Sequence, residues 1–284
     1  LKTEWWIYKV AVAVARWPSW AVSLVGRYGK SQLVNVVGAV LLDGFMSWVV
    51  EANRMSGDLN TGGGNSVLQS TYIASSMEHL GVPERAWRMY VDGDDAVLLL
   101  ERAFISYIDD GKLEATMSRF AQVAKVSKVE HISETNMESM EFCQSRPVMV
   151  DGEWRFVRDP KKVVNCYLRS FRWSKTPKLL RQYFATISPP EMIINAGVPV
   201  LDAFFRMIHR LSGDEKPLDR VFLSYWARSA DGLEHSSTVG TVSTGSRRSF
   251  ELAFGMTIAE QLRLESIYDA TTFELSPNPS WETI

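Results

Sequence analysis

The sequence of 284 residues predicts an α+β fold, with a β-rich first part carrying packed helices up to about Pro160 and a mainly helical second part after it. Two observations predict it. Before Pro160, short runs of β-branched and apolar residues come in pairs joined by Asp-Gly or Gly-Asp, residues that tight hairpin turns favour. After Lys161, apolar residues recur at the spacing of one helix face. No internal repeat or low-complexity segment interrupts either part.

Lys2 to Ala15 reads as a helix that stops before Pro18, because the residue ahead of a proline disfavours helical backbone. Leu33 to Leu42 and Phe45 to Glu51 read as a hairpin over Asp43-Gly44. After a glycine-rich segment, Ser66 to Leu80 reads as a helix closed by Gly81 and Pro83. Trp87 to Val91 and Ala96 to Leu100 are the strands of a second hairpin, with Gly93, Asp94 and Asp95 at its tip. Helical stretches at Arg102 to Tyr107 and Leu113 to Ala121 precede a strand at Lys125 to His131. Glu141 to Val150 and Glu153 to Arg158 form a third hairpin over Asp151-Gly152. In the second part Lys178 to Thr186, Val200 to Leu211 and Ile258 to Leu264 are the clearest helices, and His235 to Ser246 is a polar loop.

Composition narrows the function classes. Cys143 and Cys166 have no paired spacing and no accompanying histidine cluster, which argues against a disulfide framework and a zinc site and fits a reducing compartment. The apolar stretch from Val10 to Val25 is broken by Arg16, Pro18 and Ser19, so it is too short to span a bilayer, and no signal peptide pattern is present. The net charge of −2 does not itself suggest a polyanion partner. Its distribution says more. Lys161, Lys162, Arg169, Arg172, Lys175, Lys178 and Arg181 follow one another with no acid among them, interleaved with Tyr167, Phe171 and Trp173. Such a stripe suits a nucleic-acid backbone, and it equally suits a solvated helix face.

Two segments carry the candidate chemistry. Adjacent carboxylates at Asp94 and Asp95 repel, and they stay ionised together most easily with a divalent cation between them; a plain solvated turn is the alternative. Residues 54 to 69 pass from a flexible loop, with Ser56 and Gly57, into a helix start that Thr61 can cap, with Asn65 one turn on as both donor and acceptor. Alone, this second segment is a capped helix with a general preference for anions. Together the two are a specific pair.

Ser56-Gly57, Thr61 and Asn65, spaced Ser-Gly-x3-Thr-x3-Asn, followed by Gly93-Asp94-Asp95, resemble motifs B and C of the RNA-dependent RNA polymerases of positive-strand RNA viruses. The string from Arg54 to Thr61 is similar to the tombusvirus and carmovirus group in particular. Glu141 to Val148, with Trp154 and Val157 to Pro160, resembles that group's motif E, and Ser246 to Thr257 resembles its thumb signature. The resemblance runs from about Leu1 to about Glu265.

It implies a right-hand polymerase: a partial palm at 1–160, an antiparallel sheet with helices, then a mainly helical thumb at 161–284, with the fingers largely absent. Asp94 and Asp95 are then the catalytic metal ligands, for Mg2+ with Mn2+ as a substitute. Ser56, Gly57, Thr61 and Asn65 bind the nucleotide, Asn65 reading the ribose 2′-hydroxyl. Lys128, with Lys125 as the second choice, protonates the leaving pyrophosphate. Phe142, Cys143, Gln144, Arg146, Arg158, Lys161, Arg169 and Arg172 face RNA. The implied partners are template and nascent RNA, ribonucleoside triphosphates and the remainder of the viral replicase, on membranes of the host cytoplasm, with no membrane segment in this chain.

One departure from the family pattern matters. Motif A should supply a further aspartate upstream of motif B, yet Asp43, in a hairpin turn, is the only aspartate before Ser56. Leu1 to Trp5 resemble the helix that follows motif A, so the sequence is expected to be a piece of a longer protein, holding half of a two-metal site and inactive alone. The rivals are a non-catalytic RNA-binding or scaffold fragment, a reverse transcriptase or DNA polymerase palm, and a metal-dependent hydrolase. His235 to Ser246 is a candidate element for primer-free initiation.

Overall fold

A computed structural model of the chain describes residues 2–31, 34–41, 43–51, 61–126, 131–133, 136–168, 176–218 and 242–272. It divides into two compact units, Leu1–Val129 and Glu130–Ile284. Among the described residues the sheets are three separate antiparallel hairpins, set among helices.

The first unit opens with α1 (Lys2–Ala15) and α2 (Ser19–Ser31), the latter not expected from the sequence. Its first hairpin pairs β1 (Val34–Leu41) with β2 (Gly44–Glu51). Leu41 pairs with Gly44, so the turn lies one residue earlier than Asp43-Gly44. Val34, Val36, Phe45 and Val49 share one face of this hairpin, and all four are exposed. Helix α3 (Thr61–His79) starts at Thr61 and takes in Gly62, Gly63 and Gly64. It packs on β3 (Trp87–Asp92) and on α5 (Lys112–Ser118), and β3 pairs with β4 (Asp95–Leu100). A short α4 (Ile105–Ile108) lies between the hairpin and α5. Ile73 and Met77 of α3, Val82, Ala86, and Leu113 and Met117 of α5 form the core. These spacings put one face of each helix over the sheet, which removes apolar area from water at roughly 25 cal/mol per Å2. Lys125, Val126 and His131 are not in a strand; the rest of that expected element lies outside the described residues.

The second unit is built on β5 (Ser145–Val150) and β6 (Glu153–Arg158), joined by Asp151-Gly152. Both turn residues have positive φ, 52° and 88°, as a type I′ turn requires. Among the described residues the helices that follow are α6 (Pro160–Leu168), α7 (Pro177–Ile194), α8 (Leu201–Ser212), α9 (Thr244–Phe254) and α10 (Ile258–Ala270). Their ends are written in local chemistry. Ser243 caps α9 by accepting from Ser246 N at 3.0 Å, Gly255 closes it in the left-handed conformation, and Thr257 and Glu260 make a reciprocal capping box on α10. The expected polar loop therefore ends at Ser243, because Thr244 to Ser246 are helical; residues 235–241 lie outside the described set.

The boundary expected at Pro160 falls inside this second unit. Val148, Val150 and Val157 of the hairpin share a core with Phe184, Phe204, Phe205, Ile208 and Phe250 of the helices. Helix α9 lies along β5 and meets its outward N–H groups with side chains. Ser249 Oγ accepts from Met149 N at 2.8 Å and donates to Glu138 Oε1 at 2.7 Å, and Ser246 Oγ accepts from Asp151 N at 3.4 Å. Among the described residues no helix is long and apolar enough to cross a membrane.

Candidate functional site

The carboxylates sit where the sequence places them. Asp92 pairs with Asp95 across the hairpin, leaving Gly93 and Asp94 as a two-residue turn. Gly93 has φ 65° and Asp94 does not have positive φ, the φ pattern of a type II′ turn, in which glycine is favoured at the first position. Asp92, Asp94 and Asp95 are all exposed. The exposed carboxylates of Asp94 and Asp95 therefore stay hydrated. Among the described residues no group of three or more His, Cys, Asp or Glu side chains converges on a point. The protein oxygens at the tip are those of a carboxylate pair. Such carboxylate oxygens suit a hard cation.

Thr61 is the first residue of α3 and Asn65 lies one turn further on; both are half-buried. The glycines between them leave this turn without bulk, and no acid stands in it, so its N–H groups keep their attraction for negative charge. The next residue fastens the helix to the hairpin. Ser66 Oγ accepts from Gly93 N at 2.8 Å, across 27 residues of sequence, and donates to Gly62 O at 2.8 Å. Thus the structure brings residues 61–66 to the tip at 92–95. Sequence reasoning passed over Ser66; the signal was a hydroxyl directly after Asn65, on a helix expected to meet the hairpin. Ser56, Gly57 and Lys128 lie outside the described residues, and Lys125 is exposed.

In the second unit, Phe142 and Ser145 exchange two backbone hydrogen bonds, of 3.0 and 2.9 Å, around Cys143 and Gln144. Those two residues have φ 51° and 58°, a conformation that costs a non-glycine residue about 1–2 kcal/mol. Neighbouring bonds offset this: Gln144 O accepts from Asp159 N at 3.2 Å and Gln144 Oε1 from Lys162 Nζ at 3.2 Å. Asp159 in turn caps α6, accepting from Lys161 N at 2.8 Å ahead of Pro160. Lys161 itself is exposed. A cavity of about 240 Å3 opens beside this turn, between Glu141, Gln144, Arg146 and Asp159 and the end of α9.

Two of the four arginines expected to face RNA, Arg146 and Arg158, have protein partners. Arg146 donates to Glu141 Oε2 at 3.1 Å and to Ala253 O at 2.9 Å. Arg158 pairs with Glu191, a carboxylate only 1% exposed, and donates to Tyr167 Oη at 3.1 Å. Tyr167 donates to the other oxygen of Glu191, and Asn195 Nδ2 reaches the carboxylate at 2.9 Å. Burial and the charge of Glu191 push the Tyr167 phenol up; at Arg158 burial, the largest single influence, pulls the other way and is outweighed only by Glu191 and Tyr167 together, so the guanidinium is held charged. Sequence reasoning missed Glu191 because a lone acid inside a helix gives no pattern. Arg169 and Arg172 lie outside the described residues.

A family profile described as viral RNA dependent RNA polymerase matches residues 2–276. The chain belongs to the viral RNA-dependent RNA polymerases. The chain is 29% identical over 251 residues to the RNA-directed RNA polymerase of tobacco necrosis virus (strain A), covering 87% of the chain and 33% of that protein. To that of tomato bushy stunt virus (strain Cherry) it is 29% identical over 244 residues, 85% of the chain and 28% of the relative. To that of groundnut rosette virus (strain MC1) it is 28% identical over 232 residues, 80% and 26%. The resemblance drawn from the motifs to the tombusvirus-like polymerases is upheld. The chain spans about a quarter to a third of the length of these curated relatives.

Proposed function

We propose that this chain forms the nucleotide-adding part of a viral RNA polymerase, a partial palm at 1–160 followed by a thumb at 161–284, and that it works on template RNA and ribonucleoside triphosphates. The observation that carries this is the fastening of the Asp94-Asp95 tip to the first turns of the helix bearing Thr61 and Asn65. Carboxylates that hold a cation and an amide that can read a ribose stand together only if those two elements are joined. Magnesium, with manganese as a substitute, is the cation that two exposed carboxylates beside a triphosphate would hold; when bound it neutralises phosphate charge and makes the attacking hydroxyl more acidic.

The chain's own residues do the rest. Asp94 and Asp95 present oxygens at the tip. Asn65 bonds the 2′-hydroxyl, accepting its proton or donating to its oxygen. Ser56 and Gly57 let the preceding loop move around the nucleotide, and Lys128 gives a proton to the departing pyrophosphate. Phe142, Cys143, Gln144 and Lys161, with Arg169 and Arg172, line the path of RNA. Arg146 and Arg158 support that surface from ion pairs within the protein. The remaining carboxylates come from elsewhere in the replicase, which works on membranes of the host cytoplasm.

The test is incorporation of labelled ribonucleotide on an RNA template with Mg2+. In the full-length polymerase, Asp94→Ala should reduce incorporation to background, and the chain of 284 residues alone should bind RNA without extending it. Incorporation that survives Asp94→Ala would overturn the assignment of the tip. A full-length protein that binds RNA and never incorporates would favour a scaffold role.

A further inference from the structure

We infer that Ser66 is a positioning residue for the nucleotide-adding site, coupling the turn that carries Asp94 to the helix that carries Asn65. This rests on the site proposed above and goes beyond it, since Ser66 belongs to none of the motifs. A serine hydroxyl has one proton and two lone pairs. The proton is directed back to Gly62 O at 2.8 Å, the bond a helical serine makes to the carbonyl four residues earlier. Oγ is therefore left as an acceptor, and Gly93 N points at it from 2.8 Å. Donation to Gly62 O fixes the rotamer and polarises the oxygen, so the second bond is strengthened by the first.

The consequence is geometric. The Asp92–Gly93 peptide plane is fixed by its N–H on Ser66, and Gly93 holds φ at 65°, so little freedom remains in the direction from which Asp94 leaves the turn. Among the described residues, chain neighbours aside, nothing lies within 4 Å of where a Gly93 side chain would begin, so packing against the glycine itself is not what holds the turn there. The same hydroxyl closes the helical turn from Gly62 to Ser66, whose three glycines lack side-chain contacts of their own and from which Asn65 projects. One side chain thus sets the carboxylate turn and the ribose-reading turn relative to each other.

The experiment compares Ser66→Ala and Ser66→Thr in the full-length polymerase, with Asp94→Ala as the control for the site. Threonine keeps an oxygen able to make both bonds, and alanine removes it. Losing one such hydrogen bond predicts a roughly tenfold lower kcat for Ser66→Ala, with a smaller change in nucleotide KM. The Mg2+ concentration for half-activity should rise, the preference for ribonucleotides over deoxyribonucleotides should narrow, and Ser66→Thr should recover most of each. Amide hydrogen exchange gives a readout apart from activity: the Gly93 N–H should lose protection in Ser66→Ala and regain it in Ser66→Thr. Unchanged exchange at Gly93, or unchanged Mg2+ dependence and ribose preference alongside a merely lower melting temperature, would overturn the inference. An Asp94→Ala enzyme that still turns over would instead strike at the site assignment, while the Gly93 exchange result would still decide whether Ser66 holds the turn.

Discussion

Removing the carboxylate of Glu191 should unfold the second unit under conditions where the native chain is stable. Glu191 is 1% exposed and receives donors from Arg158, Tyr167 and Asn195. Glu191→Ala leaves the Arg158 guanidinium and the Tyr167 phenol without their carboxylate acceptor, while Asn195 Nδ2 keeps its 2.8 Å bond to the backbone carbonyl of the same position, and breaking one side of a buried pair costs about 3–5 kcal/mol. The Arg158 side chain is 35% exposed, so part of its charge is solvated after the loss, which places the expectation near the lower end, at about 3 kcal/mol. Tyr167→Phe removes one donor to a charged group and should cost about 1.5–3 kcal/mol. Arg158→Met should destabilise by a similar amount, and combining it with Glu191→Gln should cost less than the sum of the two singles. Urea unfolding followed by intrinsic fluorescence measures these variants and the Glu191→Gln single. A Glu191→Ala protein within about 1 kcal/mol of the native chain, or strictly additive singles, would refute the reasoning. RNA titration separates the two roles for Arg158: as an internal partner it leaves the salt slope of binding unchanged when replaced, whereas a phosphate contact would reduce that slope by about 1.

Other expectations follow from the same structure. Burial raises the Asp202 carboxyl to about 6, although Arg206 Nε lies 3.3 Å away without the alignment of a hydrogen bond. With a folded pKa above the unfolded one, the native state holds more protons between about pH 4 and 6, so stability falls as pH rises through that window. Asp202→Asn should flatten this dependence and gain about 1–3 kcal/mol at pH 7, read from urea midpoints across pH. Gly197 has φ 73° and an added Cβ would lie 2.9 Å from Asp151 Oδ2, so Gly197→Ala should cost more than about 1 kcal/mol, measured by thermal unfolding. Asn65→Ala in the full-length polymerase should reduce the kcat/KM ratio of ribonucleotide to deoxyribonucleotide by roughly tenfold or more, since a site built to bond a hydroxyl discriminates through that bond; an unchanged ratio would remove Asn65 from ribose recognition.

The hairpins were legible because their signals are local. The strands around Asp94 were placed within one residue at each end, and Asp151-Gly152 was identified as a turn from two residues alone. Helix α2 was missed because Gly26 and Gly29 and the preceding Pro18 weaken any helical pattern. Helix α9 was seen only as a motif. Its first two turns, Thr-Gly-Ser-Arg-Arg-Ser, carry no apolar stripe, since Ser246 and Ser249 bind the β5 edge by hydrogen bonds and periodicity registers only apolar burial. The extent of the second unit was hidden for a related reason: the hairpin and helices share a core across residues far apart in sequence, which no local spacing reports. The candidate site was legible in its carboxylates, Thr61 and Asn65. The serine that joins them was not, because a hydroxyl's bonding partners are fixed by tertiary structure.

The outer edge of β5 shows how a sheet is stopped at two strands. Ser145 N is taken by Phe142 O, Pro147 has no N–H to offer, Met149 N is taken by Ser249 and Asp151 N by Ser246. No outward donor is left along the strand to seed pairing with a passing chain, the usual hazard of an unprotected edge. Two small hydroxyls, a tight turn and one imino acid thereby keep a β-ribbon from becoming a template for its own aggregation.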